Sequence, residues 1–417
     1  MENILPSQNI TMDNQLTPTS QQQRYIVLDA LRGFALLGIC MANFPELSLW
    51  SFLNEEQQMA MPTSYMDLTT KYLLLMFVDA KFYSIFGILF GIGFAIILNR
   101  AEERGSSGIR LFYKRMVILL SFGLAHLLLL WSGDILSLYA VIGMLLPLLR
   151  KQSTERLLWL AAACLFLPIL LDLYQELSGV SFSAPIVKLW WEKAYSYGIT
   201  EENFASWQRD AKGYEQVHQF LMQGAIERMY EFVEGHRVLK VLGLFLIGYC
   251  IGRDRMYARL GELHRQMKRL LYTCLVTALP TMMLYATSAM TGHGFGETAH
   301  SLLYTLSALP MAMVYIIGFS LLANRNPNAK LLRILAKPGQ MALTNYIMQS
   351  VFGIFIYYGI GCKLGLSMGL MLVEVTALYI FAFQTGLSYV WLKHFRYGPL
   401  EWVWRMCTYG KWLPIKR

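Results

Sequence analysis

Apolar residues gather into ten stretches along this chain, at about 25–50, 82–98, 116–132, 135–149, 157–175, 238–252, 270–290, 301–323, 340–360 and 367–392. A helix rises about 1.5 Å per residue and must cross roughly 30 Å of hydrocarbon, so the shortest stretches fit only a thinned bilayer. The pattern predicts an all-α polytopic integral membrane protein with about ten transmembrane helices. Gly91, Gly93, Pro147 and Pro310 lie inside stretches; membrane helices tolerate both residue types, and Gly91-Ile92-Gly93 reads as a close helix crossing. The apolar run from Lys71 to Ala80 predicts an interfacial helix before the second span.

Polar residues return between 176 and 237. There, after Thr200 as N-cap, Phe204, Trp207, Tyr214, Val217, Phe220 and Leu221 recur at steps of mostly three and four. That spacing predicts one amphipathic helix lying on the bilayer or on the bundle. The chain divides accordingly into a disordered cytoplasmic tail (1–23), a five-helix membrane half (24–175), an extracytoplasmic loop (176–237), a second five-helix half (238–392) and a basic cytoplasmic tail (393–417).

Composition strengthens the membrane reading: the 417 residues are 55% hydrophobic and 15% charged, with mean hydropathy +0.40, against about 25% charged in a soluble domain. The net charge of +9 therefore points to basic cytoplasmic loops and anionic lipid rather than to nucleic acid. With the N-terminus inside, 25 Lys and Arg fall on the cytoplasmic side and 10 on the other, which places both termini in the cytoplasm. The six cysteines are scattered with no CxxC pair or Cys/His cluster, so neither a disulfide framework nor a metal is expected. Walker, dinucleotide and metalloprotease motifs are absent, which leaves nucleotide hydrolysis, hydride transfer and zinc proteolysis without support.

Ionisable side chains inside apolar spans cost at least about 2.5–3.5 kcal/mol on insertion scales, so each needs a partner, a cavity or a function. Asp29 and Arg32 share a helix face near the cytoplasmic end; they form an ion pair or, alternatively, an anion site in which Arg32 grips a phosphate or carboxylate. His126 is the only histidine within one of the stretches, two turns from the outer tip of a hairpin broken at Ser132-Gly133-Asp134. A lone buried histidine is usually satisfied structurally; the functional alternative is a catalytic base, with Asp134 orienting it or simply capping the next helix. Asn43, Asn345, Gln349 and Glu374 either bond between helices or, with Asp29 and Arg32, line a substrate path.

Several segments resemble one bacterial family. Leu28-Asp29-Ala30-Leu31-Arg32-Gly33-Phe34 and Lys81-Phe82-Tyr83-Ser84-Ile85-Phe86-Gly87 in the N-terminal half, Gly123-Leu124-Ala125-His126 with Ser132-Gly133-Asp134 in the hairpin, and Gly339-Gln340-Met341-Ala342-Leu343-Thr344-Asn345-Tyr346 with Arg396-Tyr397-Gly398-Pro399-Leu400-Glu401-Trp402 in the C-terminal half look like the YeiB-like membrane proteins carrying domain of unknown function 418. That family's Asp/Arg span and histidine-bearing helix are in turn similar to those of transmembrane acyltransferases such as heparan-glucosaminide acetyltransferase. The resemblance implies a multi-pass protein of the bacterial inner membrane that moves an acyl group from a cytoplasmic acyl-CoA-type donor to an unknown acceptor. His126 and Asp134 are then the catalytic candidates, acyl-CoA is a substrate rather than a resident cofactor, and a homodimer is a compatible assembly. A transporter of a small polar or anionic solute is the competing expectation.

Overall fold

The computed structural model describes residues 25–106 and 108–417; the expected tail at 1–23 lies outside the described residues. Eighteen α-helices follow one another: α1 Ile26–Leu47, α2 Glu55–Met59, α3 Ser64–Phe77, α4 Lys81–Glu102, α5 Ile109–Leu129, α6 Leu136–Gly143, α7 Leu146–Leu149, α8 Thr154–Ser178 and α9 Ala184–Ser196, then α10 Phe204–Asp210, α11 Tyr214–Glu234, α12 Arg237–Arg253, α13 His264–Met290, α14 Glu297–Arg325, α15 Lys330–Gln340, α16 Ala342–Tyr357, α17 Leu370–His394 and α18 Pro399–Tyr409. The chain is an all-α polytopic membrane protein. Large apolar side chains such as Trp159, Val276, Tyr379 and Phe383 are exposed on its periphery, where lipid rather than water accounts for them.

All ten apolar stretches are helical, but they are not equal. Among the described residues seven segments are long and apolar enough to cross a bilayer (α1, the α3–α4 run Ser64–Glu102, α5, α8, α13, α14 and α17), and α11 with α12, bent by 65°, would make an eighth. Leu136–Leu149 and Ala342–Tyr357 are shorter; at 1.5 Å per residue the 16 residues of α16 reach only about 24 Å. The run from Lys71 expected to be an interfacial helix falls within α3, which starts seven residues earlier at Ser64, ends at Phe77 and continues towards α4 through Ala80, whose backbone is left-handed with φ +64°.

The boundary between the two five-helix halves is one of chain order and not of packing. Helix α4 from the first half crosses α12 from the second with almost no gap: a Cβ on Gly91 would sit 2.1 Å from the Phe245 carbonyl oxygen, and one on Gly248 would sit 2.0 Å from that of Ile88. Gly93, by contrast, has open space around it, so the close-crossing reading of Gly91-Ile92-Gly93 holds for Gly91 alone. Around this crossing Leu244, Ile85, Ile88 and Leu89 join the α1 core, while Phe245, Tyr249 and Phe94 join the core against α5 and α6.

The amphipathic helix of the outer loop is two helices. Asn203 accepts the Thr200 N–H at 2.9 Å, and the chain breaks after Asp210 because the Gln208 carbonyl takes the Gly359 N–H (2.9 Å) and Gln216 Oε1 takes that of Lys212 (2.7 Å). Periodicity alone cannot register bonds made to the distant α16–α17 loop. Arg209 grips Asp210 through both Nε (3.1 Å) and Nη2 (2.7 Å), and with Lys363 it holds that carboxyl at about 2. The loop lies on the bundle: Val217, Phe220 and Leu221 of α11 are buried, and the Tyr214 hydroxyl donates to the Leu129 carbonyl at 2.7 Å.

Two outcomes check this architecture. Replacing Gly248 with Leu should lower the melting temperature of detergent-purified protein sharply, overpacking in cores costing about 1–3 kcal/mol, whereas Gly93→Ala should leave it unchanged or raise it. In a background lacking the exposed Cys362 and Cys407, an impermeant thiol reagent on intact cells should label Glu202→Cys and spare Ser106→Cys; the reverse pattern inverts the topology.

Candidate functional site

Helix α5 ends one turn after His126, at Leu129. The His126 carbonyl accepts both the Leu130 N–H (3.0 Å) and the Trp131 N–H (2.9 Å), which closes α5. The chain then turns through Ser132-Gly133-Asp134, and α6 returns against α5 so closely that a Cβ on Gly123 would meet the Ser137 amide nitrogen at 2.4 Å. Asp134 caps α6 as expected, its Oδ2 accepting the Ser137 N–H at 2.7 Å. Its other oxygen faces back along the hairpin and lies 3.0 Å from His126 Nδ1. Capping and orienting are thus both met by one carboxylate.

The remaining imidazole nitrogen, Nε2, lies 2.8 Å from the hydroxyl of Ser350 on α16. A carboxylate only accepts, so Nδ1 carries the proton and Nε2 is the acceptor for the Ser350 O–H. Asp134, His126 and Ser350 are each about 1% exposed. The Tyr346 ring packs 5.1 Å from the imidazole, centre to centre, and Trp131 meets it edge-on at 6.1 Å. Tyr346 also donates its hydroxyl to the Gly133 carbonyl at 3.4 Å, so α16 is fastened to the hairpin tip at two points. The group points into the bundle, as a polar side chain in lipid must.

Helix α11 covers the tip of the α5–α6 hairpin. Arg228 Nε donates to the Ser132 carbonyl at 2.8 Å, and its guanidinium also pairs with Glu231 and, at 3.5 Å, with Glu46 of α1. A Cβ on Gly224 would lie 2.8 Å from the Ser132 side chain. Two open grooves mark the surface, one of about 810 Å³ beside Arg110, Lys114 and Val117 and one of about 440 Å³ beside Phe166 and Leu170. Neither is lined by His126, which is about 1% exposed.

The other candidate residues fall into separate groups. Arg32 Nη1 bonds Asp29 Oδ1 at 2.8 Å, the ion pair expected from their spacing. It lies near the start of α1, within electrostatic reach of Arg115. Arg115 precedes His126 by eleven residues of α5, about 16 Å along the axis, so Asp29 and Arg32 are not part of the His126 group. Asn345 donates to Ser388 (2.9 Å) and to the Pro338 carbonyl (3.3 Å), while Gln349 donates to Gln384 (3.3 Å) and to the Leu36 carbonyl (3.5 Å). These amides knit α1, α15, α16 and α17 together. Glu374 is buried on α17 with neither carboxyl oxygen hydrogen-bonded, and Asn43 is half-buried on α1. Among the described residues no cluster of three His, Cys, Asp or Glu side chains is placed to hold a metal.

Sequence reasoning missed Ser350, Tyr346 and Arg228. Tyr346 and Ser350 are four apart and share one face of α16, beside the face that carries Asn345 and Gln349; nothing in the chain signals which face meets a helix 224 residues away.

Residues 251–411 match the family model described as "Protein of unknown function (DUF418)". The chain is 29% identical to the uncharacterized protein YxaH of Bacillus subtilis over 96% of this chain and 98% of that one. It is 28% identical, over the same shares, to an uncharacterized 39.9 kDa protein encoded beside an amylase in Bacillus acidopullulyticus. The uncharacterized protein YeiB of Escherichia coli is 26% identical over 93% of this chain and 96% of its own length. No solved structure matches.

If the Asp29–Arg32 pair is structural, Arg32→Ala alone should destabilise the protein more than Asp29→Ala/Arg32→Ala. The single change leaves a buried carboxylate that has lost its cation, a cost of about 1–3 kcal/mol. Thermal unfolding of the purified variants measures this; a double variant that melts normally yet lacks activity would instead make Arg32 an anion-binding residue.

Proposed function

We propose that this chain, which matches the DUF418 family model over residues 251–411 and is similar to YeiB over nearly its whole length, is an acyltransferase of the bacterial inner membrane, moving an acyl group from a cytoplasmic acyl-CoA-type donor to a hydroxyl or amine acceptor. One observation carries the reading: a buried imidazole held between a carboxylate at 3.0 Å and a hydroxyl at 2.8 Å. An imidazole so held has one nitrogen fixed as donor and the other free to take a proton as a nucleophile attacks a thioester. Proton uptake at Nε2 and its delivery to the leaving thiol balance the transfer. Arg32, Arg110, Lys114 and Arg115 are the cations available at the cytoplasmic end of the bundle for the donor's phosphates.

A second reading, transport of a small polar or anionic solute, draws on Glu374, whose carboxyl group is buried without a partner. An intramembrane carboxylate of that kind commonly marks an ion or proton path.

The test compares acylated lipids, glycans and small metabolites between a deletion strain and strains carrying the wild-type chain or His126→Gln at matched membrane levels. An acylated product restored by wild type should fall by about 10²- to 10⁴-fold with His126→Gln, while the variant's melting temperature stays near normal. Undiminished product with His126→Gln contradicts the proposal. Solute accumulation that depends on Glu374, with no acylated product, favours transport.

A further inference from the structure

We propose that Ser350 is the nucleophile, so that transfer proceeds through an acyl ester on Ser350 rather than directly from donor to acceptor. The inference rests on the acyltransferase reading and deepens it. Both imidazole nitrogens of His126 are engaged, Nδ1 by Asp134 and Nε2 by the Ser350 hydroxyl at 2.8 Å. The hydroxyl from which His126 is placed to take a proton therefore belongs to the protein itself. An external acceptor would first have to displace a fully buried side chain.

Ser350 belongs with the minority of helix hydroxyls that bond another helix, such as Thr344 to Glu401 (2.6 Å) and Ser288 to His300 Nδ1 (3.1 Å), and of the serine–histidine pairs among the described residues it is the one whose imidazole is also held by a carboxylate through its other nitrogen. Ser84, Ser121, Ser320 and Thr305 each bond the carbonyl four residues earlier in their own helix, at 2.6 to 3.1 Å, which is how an isolated hydroxyl satisfies itself in lipid. Ser350 bonds across the helix gap to His126 instead. Carboxylate, imidazole and hydroxyl stand in the order that activates a serine, and such an arrangement is recognised by geometry and not by position in the chain. The carboxylate is fixed by the Ser137 N–H at 2.7 Å and the imidazole is packed by Tyr346, so neither needs to be ordered when the substrate arrives.

The chemistry balances without any oxidant or reductant. Ser350 Oγ attacks the thioester carbonyl carbon as His126 Nε2 takes the hydroxyl proton. The C–S bond breaks, and the sulfur leaves with the proton that His126 returns, leaving an oxygen ester on Ser350. An acceptor O–H or N–H then attacks that ester. His126 takes the acceptor's proton and passes it to Ser350 Oγ as the ester C–O bond breaks.

The experiment uses the full chain in membrane vesicles with two probes, radiolabelled acetyl-CoA and a fluorophosphonate, followed by acid quenching and peptide mass spectrometry. Label from either probe is expected on Ser350, with loss in Ser350→Ala and at least a tenfold decrease in His126→Gln. Ser350→Cys should retain label from acetyl-CoA as a thioester, which guards against simple misfolding of the alanine variant. If wild type forms an acylated product that depends on His126, yet Ser350 takes no label and Ser350→Ala transfers at the wild-type rate, the nucleophile proposal is overturned while the acyltransferase reading stands. If wild type forms neither product nor label, the acyltransferase reading fails, and this proposal with it.

Discussion

Hydrocarbon offers no hydrogen bonds, so every polar side chain in the bundle must be answered by another part of the protein. That constraint organises the interior. The amides of Asn345, Gln349 and Gln384 answer one another and nearby carbonyls, and they hold α16 against α1 and α17. Asp134 answers the start of α6 and the imidazole together. His126 answers Ser350, which ties the hairpin of the first half to a helix of the second. Exceptions persist among the described residues: Glu374 has both carboxyl oxygens unanswered, and the Trp50 indole N–H, the Tyr357 hydroxyl and the Gln349 side-chain oxygen are buried without a hydrogen-bond partner as well. The same pressure works without polar atoms at Gly91 and Gly248, where the absence of side chains lets two backbones meet.

Within this frame the His126 group is more fully bonded than packing alone requires. A histidine placed only for packing would be satisfied by one carbonyl or hydroxyl. Here a second bond, to a carboxylate that is itself pinned, fixes which nitrogen is free to accept. The group sits under α11, whose Arg228 bonds the hairpin tip, and away from both surface grooves. The imidazole is thus buried beneath α11, with the basic residues of α5 about 16 Å away along the helix.

Much of the fold was legible because lipid imposes a simple code on the chain. The apolar stretches, the hairpin at Ser132-Gly133-Asp134 and the Asp29–Arg32 pair could all be read locally, whereas the helix expected from Lys71 to Ala80 runs from Ser64 to Phe77. Asp134 could be read as either cap or partner because its neighbours in sequence permit both. Features set by distant partners could not be read. The break between α10 and α11 depends on the α16–α17 loop, the shortness of α16 on the chain that follows it, and Ser350 on a helix 224 residues from His126. A serine in an apolar helix carries no local mark that separates self-capping from a bond across the bundle.

A structure of the full chain in a lipid nanodisc with a non-hydrolysable acyl-CoA analogue would test the role of the buried centre most directly. The carbonyl-equivalent carbon should lie within about 3.5 Å of Ser350 Oγ and the His126 side chain, a near-attack separation, with the phosphates among Arg32, Arg110, Lys114 and Arg115. An analogue seated on the outer surface of the bundle, with Asp134, His126 and Ser350 still sealed and bonded to one another, would contradict a catalytic role for this group.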